Sequence, residues 1–388
     1  MGSLQWPPKR MHLVDITMFY AAEGGGVSTY LNAKARWLSQ RNRVQHSILS
    51  PNVGNDPGPP SLVHLPGVAL PGVNGYRMPY SVAAATRLML GMQPDLIEAG
   101  DAGHCAWAAL RVKRRLGVPA VAFYHSDLPH LLEKRFGHLA MLGARRYLAH
   151  VYSQFDMVLA PSRLMVQQLG ELGIENAIHQ PLGIDSATFT PGRRNRTLRE
   201  HLRLPADARL LVYAGRFTPE KKLMVLIDAV RKLGRPYHLV LIGGGAPLPH
   251  YPQITYIRFR RDQRALARLL ASCDVLVHPG DCETFGLIVL EAMACGLPVV
   301  GTTGGGVAEL VDDSTGLLVA PNSVSSLAAG IEAVFRRDLG RMSMTACLKA
   351  RNHYDWNIIM PQLMNRYGSL LATRARADLE AGGMFVPE

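Results

Sequence analysis

Short runs of β-branched and aliphatic residues alternate with longer stretches of helical period, and the series is written twice along the 388 residues. A strand that passes through a crossover helix into a parallel neighbour gives this pattern, so each series predicts a doubly wound α/β sheet. In the first, strands are expected near His12–Ile16, Val44–Leu49, Leu96–Ala99, Pro119–Tyr124, Met157–Ala160 and Ala177–Gln180. The helices between them are Val27–Gln40, Pro79–Gly91, Gly103–Leu116, one long helix within Leu128–Gln154, and Arg163–Leu172. In the second, strands fall near Leu210–Ala214, His238–Ile242, Ile254–Ile257, Val275–His278, Pro298–Gly301 and Gly316–Val319. Between the two series, Pro181-Leu-Gly-Ile-Asp185 runs into Thr190-Pro-Gly-Arg-Arg-Asn-Arg-Thr197, a polar stretch without hydrophobic period that reads as a linker. The expected domains are therefore 1–184 and 185–361, with a closing helix, about 362–388, that can pack back on the first. Pro51–Gly75, with six prolines and five glycines, reads as a surface excursion, and Tyr354–Asp378 as helical.

A chain of this length exceeds one ordinary core, and at 48% hydrophobic and 19% charged it is too apolar to be disordered. Lys and Arg outnumber Asp and Glu by 42 to 30, a formal charge of +12. Some face is expected to meet anionic matter, whether phosphorylated small molecules, lipid headgroups or nucleic acid. Cys105, Cys273, Cys282, Cys295 and Cys347 are odd in number and show no metal-ligand spacing, so they read as free thiols in a reducing compartment, with no metal site. Met1–Arg10 has no apolar signal core, Trp6 stands where a myristoylation site needs Ser or Thr, and no stretch reaches the ~18–20 apolar residues of a membrane span. A cytoplasmic protein is expected.

Four constellations carry chemistry. Glu23-Gly24-Gly25-Gly26-Val27-Ser28 follows the first strand at a helix start, where bare N–H groups suit an anion or a sugar; a tight strand-to-helix turn would need the same residues. Tyr213-Ala-Gly-Arg216-Phe-Thr-Pro-Glu-Lys221-Lys222 places cations at the carboxyl end of a strand and the start of a helix. Cations there oppose the helix dipole, a small cost that a bound diphosphate would explain. Val277-His-Pro-Gly-Asp-Cys-Glu283-Thr-Phe-Gly-Leu-Ile-Val-Leu-Glu291 puts Glu283 in a loop and Glu291 in an otherwise apolar helix, and Gly304-Gly-Gly306 closes the next turn. A buried carboxylate needs a partner, and a ribose diol would serve. Phe123-Tyr-His125-Ser-Asp127 sits past the fourth strand, again at the carboxyl edge.

In this order and spacing the residues resemble the retaining, nucleotide-sugar-dependent glycosyltransferases of family 4, whose GT-B fold sets two Rossmann-like domains about a cleft. The matches are Gly24-Gly25-Gly26-Val27, His125-Ser126, Leu182-Gly-Ile-Asp185, Gly215-Arg216 with Glu220-Lys221, and Glu283-x7-Glu291 with Phe285-Gly286 inside it, followed by Ala-Met-Ala-Cys-Gly-Leu-Pro-Val-Val. The resemblance implies a hexose transferred from a UDP-sugar or GDP-mannose to a hydroxyl of a lipid, lipid-linked or saccharide acceptor, with retention and without metal or other cofactor. It further implies that Arg216 and Lys221 hold the donor diphosphate, and that Glu283 touches the sugar and Glu291 the ribose. Thr284, Phe285, Gly286 and Leu287 would contact sugar and phosphate. His125 would sit at the reacting sugar, Gly25 and Gly26 would face donor phosphate, and Gly24, Ser126 and Asp127 would meet the acceptor. Cations aimed at the departing diphosphate suit such a reaction. Two positions depart from the family pattern: Arg258-Phe-Arg-Arg-Asp262 replaces a glycine after the third strand of the donor domain, and Lys222 stands where Gly is common.

Arg111, Lys113, Arg114, Arg115, Lys134, Arg135, Arg145 and Arg146 place eight cations within 36 residues, beside Phe136, Leu139, Leu142, Tyr147 and Leu148. This stretch reads either as a peripheral contact with the anionic inner face of the cytoplasmic membrane or as a solvated face over a core stripe. Nucleic acid is not an expected partner. The competing functions are a non-catalytic nucleotide-sugar-binding protein and a GT-B nucleotide-sugar epimerase. Release of nucleoside diphosphate in the presence of acceptor separates them from transfer.

Overall fold

Strands in the middle of a parallel sheet are covered by helices on both faces, so their sequences are continuously apolar rather than alternating. Leu96–Ala99, Ala120–Phe123, Met157–Ala160, Val275–Val277 and Val299–Thr302 are buried at every residue and occupy such places. The structure, a computed structural model, describes residues 10–20, 25–41, 43–52, 62–69, 76–258 and 262–382, apart from the side chains of 134 and 377–382. Glu23, Gly24, the Lys134 side chain and residues 259–261, at which the sequence raised expectations, lie outside the described residues.

In the first unit the elements are β1 (Met11–Ile16), α1 (Gly26–Ser39), β2 (Val44–Ser50), β3 (Leu62–His64), β4 (Gly67–Ala69), β5 (Arg77–Pro79), α2 (Val82–Met92), β6 (Leu96–Ala99), α3 (His104–Leu116), β7 (Ala120–Phe123), α4 (Leu128–Phe136), α5 (His138–Tyr152), β8 (Met157–Ala160), α6 (Arg163–Gly170) and β9 (Ala177–His179). The second holds α7 (Leu198–His201), β10 (Arg209–Phe217), α8 (Leu223–Leu233), β11 (Tyr237–Gly245), β12 (Ile254–Arg258), α9 (Gln263–Ala271), β13 (Val275–Val277), α10 (Leu287–Ala294), β14 (Val299–Thr302), α11 (Val307–Leu310), β15 (Gly316–Val319), α12 (Val324–Phe335) and α13 (Leu339–Tyr354). The closing helix α14 (Trp356–Gly382) leaves the second unit and belongs to the first from Ile359 onward; the units otherwise divide between Gln180 and Pro181.

The first unit carries a seven-stranded parallel sheet in the order β3-β2-β1-β6-β7-β8-β9, and the second a six-stranded parallel sheet in the order β12-β11-β10-β13-β14-β15. Each is an α/β, Rossmann-like, doubly wound sheet whose order reverses once, between β1 and β6 and between β10 and β13. At such a reversal the flanking helices lie on opposite faces, which opens a crevice at the carboxyl ends of the strands. Asp15 and Glu98 flank the first reversal, and the segments after Arg216 and Val277 flank the second.

Three local expectations are corrected. The helix expected from Pro79 starts at Val82, because Pro79 pairs with Gly67 in the β4–β5 ribbon and the Ser81 side chain caps the helix at the Ala84 N–H, 3.2 Å away. The long helix expected within Leu128–Gln154 is two helices, parted at Gly137 with φ 82° and ψ −178°, a conformation open to glycine and not to a helix interior. Within the Pro51–Gly75 excursion, β3 extends the sheet edge and β4 forms half of the ribbon.

Candidate active site

In the second unit β10 ends at Arg216-Phe217, after which Pro219–Lys221 make one 3-10 turn before α8. Proline at the start of that turn presets its φ, and Lys222, the residue before α8, takes φ 53° and ψ 35°. That left-handed geometry is why glycine is favoured there. The turn delivers the Lys221 ammonium to the Glu283 carboxylate, which it binds directly. Glu283 also faces His278 Nε2 at 3.3 Å. Burial pushes the Glu283 carboxyl up, but Lys221 and then His278 outweigh it and hold the group well below the usual carboxylate range, so it is ionised. The Arg216 guanidinium is exposed and makes no ion pair with the described residues. The charges of Glu283, Glu220 and Arg216 all act on the buried Tyr213 phenol, whose pKa is raised by burial first.

Gly286 caps α10 at φ 98°, and a Cβ there would meet Val307 Cγ2 at 2.9 Å. The glycine turn before α11 packs against the Glu283 loop backbone to backbone, with Gly306 N–H donating to the Glu283 carbonyl at 2.6 Å. A Cβ on Gly305 would stand 2.9 Å from both Glu283 N and O. Thr284 and Leu287 are half-buried at the head of α10, and Phe285 is buried, its ring 6.2 Å from that of Tyr354. The helix therefore starts with its N–H groups beside the Lys221–Glu283 pair, an arrangement that favours an anion. Glu291, further along the same helix, is 9% exposed and accepts no hydrogen bond from the described residues. Burial alone pushes its carboxyl up to about 8. The structure thus brings Lys221, Glu283, Thr284, Phe285, Gly286 and Leu287 together and places Arg216 at the same sheet edge.

In the first unit Gly25 precedes α1 at φ 140° and Gly26 opens the helix, both exposed. His125 lies past β7, stacked on Phe123 with ring centroids 4.2 Å apart at 5° and tilted against Tyr30 at 5.5 Å. It shares a small recess with Asp15, Thr17, Val27, Leu31 and Gly100. Burial, and then the Lys34 charge, push the imidazole down to about 3, so it is neutral at ordinary pH. Ser126 follows in the loop, half-buried, whereas Asp127 is engaged as the cap of α4, accepting the His130 N–H at 3.2 Å and the Tyr124 hydroxyl at 3.3 Å.

Sequence reading missed an ion cluster on the same face of this sheet. Lys34 Nζ lies 2.7 Å from Asp15 Oδ1 and 3.1 Å from Glu98 Oε1, and all three side chains are buried. His46 Nε2 adds a contact to Asp15 Oδ2 at 2.5 Å, and the hydroxyls of Tyr30 and, from α14, Tyr367 bond to Glu98. The signal was present in Leu-Val-Asp15-Ile and Leu-Ile-Glu98-Ala, each a single carboxylate among aliphatic neighbours. His278 was also missed: it is 1% exposed, and its Nδ1 has no hydrogen-bond partner among the described residues. Among the described residues no group of three or more His, Cys, Asp or Glu side chains is placed to hold a metal ion, and no helix is long and apolar enough to cross a membrane.

Comparison with known proteins assigns both halves. A GDP-mannose-dependent alpha-mannosyltransferase of Mycobacterium tuberculosis is 31% identical over 288 residues, 69% of this chain and 75% of the relative. A GDP-mannose-dependent alpha-(1-6)-phosphatidylinositol dimannoside mannosyltransferase of the same species is 28% identical over 399 residues, 95% of this chain and 99% of the relative. The fold matches that of sucrose-phosphate synthase from Thermosynechococcus elongatus, with a TM-score of 0.79 at 20% identity over 94% of this chain and 100% of the other. Residues 24–188 match Glycosyltransferase Family 4 and residues 208–337 match Glycosyl transferases group 1, so the chain belongs to the family 4 glycosyltransferases of GT-B fold.

Proposed function

We propose that the enzyme transfers mannose from GDP-mannose, with retention and without a metal ion, to a hydroxyl of a lipid-borne inositol or saccharide acceptor. The observation that carries this reading is Glu291, a buried carboxylate without a partner on the helix whose N-terminus adjoins the Lys221–Glu283 pair. A nucleoside diphosphate sugar meets each demand of that geometry: the ribose diol donates to Glu291, the diphosphate takes the helix terminus with Arg216 and Lys221, and Glu283 orients the sugar. The base and sugar follow the mannosyltransferase relatives.

Charge then directs the chemistry. The bond from C1 to the phosphate oxygen breaks and its electron pair leaves on the diphosphate, where Arg216 and Lys221 stabilise it. The acceptor oxygen bonds to C1 on the face the phosphate leaves, and its proton passes to the departing phosphate. Glu283, held ionised by its own ion pair, positions the sugar rather than bonding to it. For the first unit the family resemblance gives neutral His125 the reacting sugar, Gly25 and Gly26 the donor phosphate, and Ser126 the acceptor.

We assign the acceptor to a membrane on a second observation. Leu139 is 83% and Phe136 64% exposed at the α4–α5 corner, beside the exposed Arg135 and Arg146. Apolar side chains among cations fit an anionic lipid surface. Leu148, which the sequence grouped with them, lies in the core, and Lys113 is engaged with Asp156 at 2.9 Å.

The test is a mass-spectrometric assay of the purified protein with GDP-mannose and a panel of UDP-sugars against phosphatidylinositol, its mannosides and soluble saccharides. The expected result is GDP release coupled to a hexose-mass product on a lipid acceptor, with an α anomeric signal by NMR. Turnover only with a UDP-sugar would overturn the donor assignment, and nucleotide binding without product on any acceptor would make the chain a non-catalytic binder.

A further inference from the structure

The buried cluster of the first unit has more ionisable groups than structure alone requires. Asp15 and Glu98 are register partners on β1 and β6, so both point to the face covered by α1. Two carboxylates share the single Lys34 ammonium there. Asp15 also has His46 and keeps its charge, its pKa driven down by Lys34 and His46 against burial. Glu98 is raised instead, by burial and the neighbouring Asp15 charge. Apolar side chains of similar volume would stabilise such a site as well or better, so retention of charge points to a use.

The contacts of Tyr30 indicate the use. Its hydroxyl reaches both Glu98 oxygens, at 3.0 and 3.1 Å, and receives Lys34 Nζ at 3.2 Å. Its ring packs on Phe123 at 5.1 Å and on His125 at 5.5 Å, while His125 stacks on Phe123 at 4.2 Å, so the three rings contact one another. Tyr30 is therefore anchored at its polar end by ions that cannot move without exposing a buried charge. Its apolar face limits where the imidazole can turn.

We propose that Tyr30 is a positioning residue for glycosyl transfer, its phenol pinned by Glu98 and Lys34 and its ring fixing the orientation of His125. This rests on the assignment of His125 to the reacting sugar. A rigidly held imidazole needs no reorganisation when the transition state forms, so the contribution belongs to turnover rather than to donor affinity.

The test compares Tyr30→Phe, Tyr30→Leu and His125→Asn. Tyr30→Phe keeps the ring and deletes the anchor, and Glu98 retains Lys34 and Tyr367 as partners, so the variant folds. Its kcat is expected to fall about tenfold with the donor KM within about twofold, and Tyr30→Leu to fall further. Nitrogen-15 histidine NMR, with the His125 signals assigned by their loss in His125→Asn, is expected to show them shifted in Tyr30→Phe while those of His278 and His46 are unchanged. Native turnover in both Tyr30 variants alongside an inactive His125→Asn overturns the proposal and leaves the function of His125 standing. Full activity in His125→Asn overturns both. An unmoved His125 signal in Tyr30→Phe overturns the proposal whatever the activity assay shows.

Discussion

Replacing Glu291 with Gln separates a carboxylate that serves a ligand from one that serves the fold. In the free protein Glu291 is 9% exposed with no hydrogen bond from the described residues, and its pKa is raised from 4.5 to about 8 by burial. The folded chain thus holds a proton where the unfolded chain has lost it, and stability falls as pH rises from the ordinary carboxylate range to about 8. By pH 7.5 the loss amounts to about 4 kcal/mol. Glutamine removes that penalty but buries an amide lacking partners, at roughly 1–3 kcal/mol. The net gain above neutrality is roughly 1–3 kcal/mol, or about 2–4 °C in Tm for each kcal/mol in a unit of this size. Thermal unfolding followed by circular dichroism should show Glu291→Gln melting several degrees above the native protein near pH 8 and level with it or a few degrees below it near pH 5, where the carboxyl penalty has shrunk below the cost of the buried amide. Calorimetry should show its affinity for GDP-mannose reduced about 10- to 100-fold, because glutamine cannot ionise to form the charge-assisted bonds that the ribose hydroxyls would make to the carboxylate once they displace its proton. Parallel pH–stability curves for the two proteins would refute the reasoning, since Glu291 would then not carry a proton into the fold.

Lys221→Ala should lower kcat by about 10²–10³, the usual cost of removing one stabilising group at a developing negative charge, and Glu283→Gln should lower it comparably while thermal melts stay near native; near-native turnover in either removes that residue from the site. Lys222→Gly should raise stability by about 1 kcal/mol, because a left-handed residue loses its Cβ strain, with turnover unchanged; a fall in turnover in the steady-state assay would assign its ammonium to the phosphates. Changing Phe136 and Leu139 together to Ser should abolish flotation with vesicles containing anionic lipid while leaving turnover on a soluble acceptor intact. Activity should persist in excess chelator, and its loss there would overturn the metal-free assignment.

The alternation of strands and helices was legible because each strand's burial on both faces writes a continuous apolar run, and a run needs no knowledge of its partners. The loop proposed to hold the donor was marked out in sequence for a related reason. Its parts lie close in sequence, and Glu283, the helix cap Gly286 and Glu291 lie on one strand–loop–helix passage. The break at Gly137 was hidden because helical period continues on either side of it, and only the left-handed backbone at the glycine shows that two helices meet.

The ion cluster was illegible for the opposite reason. Lys34 on α1 reads as one more solvated lysine until β1 and β6 are known to be neighbours, for only then do Asp15 and Glu98 share a face. Tyr367 lies 269 residues beyond Glu98 and reaches it because α14 returns to the first unit. The same logic explains why Asp127 misled. Its place after a strand looks like a site in sequence, yet a carboxylate three residues before a free helical N–H caps that helix first, and here it accepts the His130 N–H. Among the described residues a carboxylate whose hydrogen bonds the fold already consumes reads as structural, whereas Glu291, buried on α10 without one, is where the proposed ligand would bond. That criterion needs the packed chain, and it turns a sequence motif into a statement about one residue that a melting curve can decide.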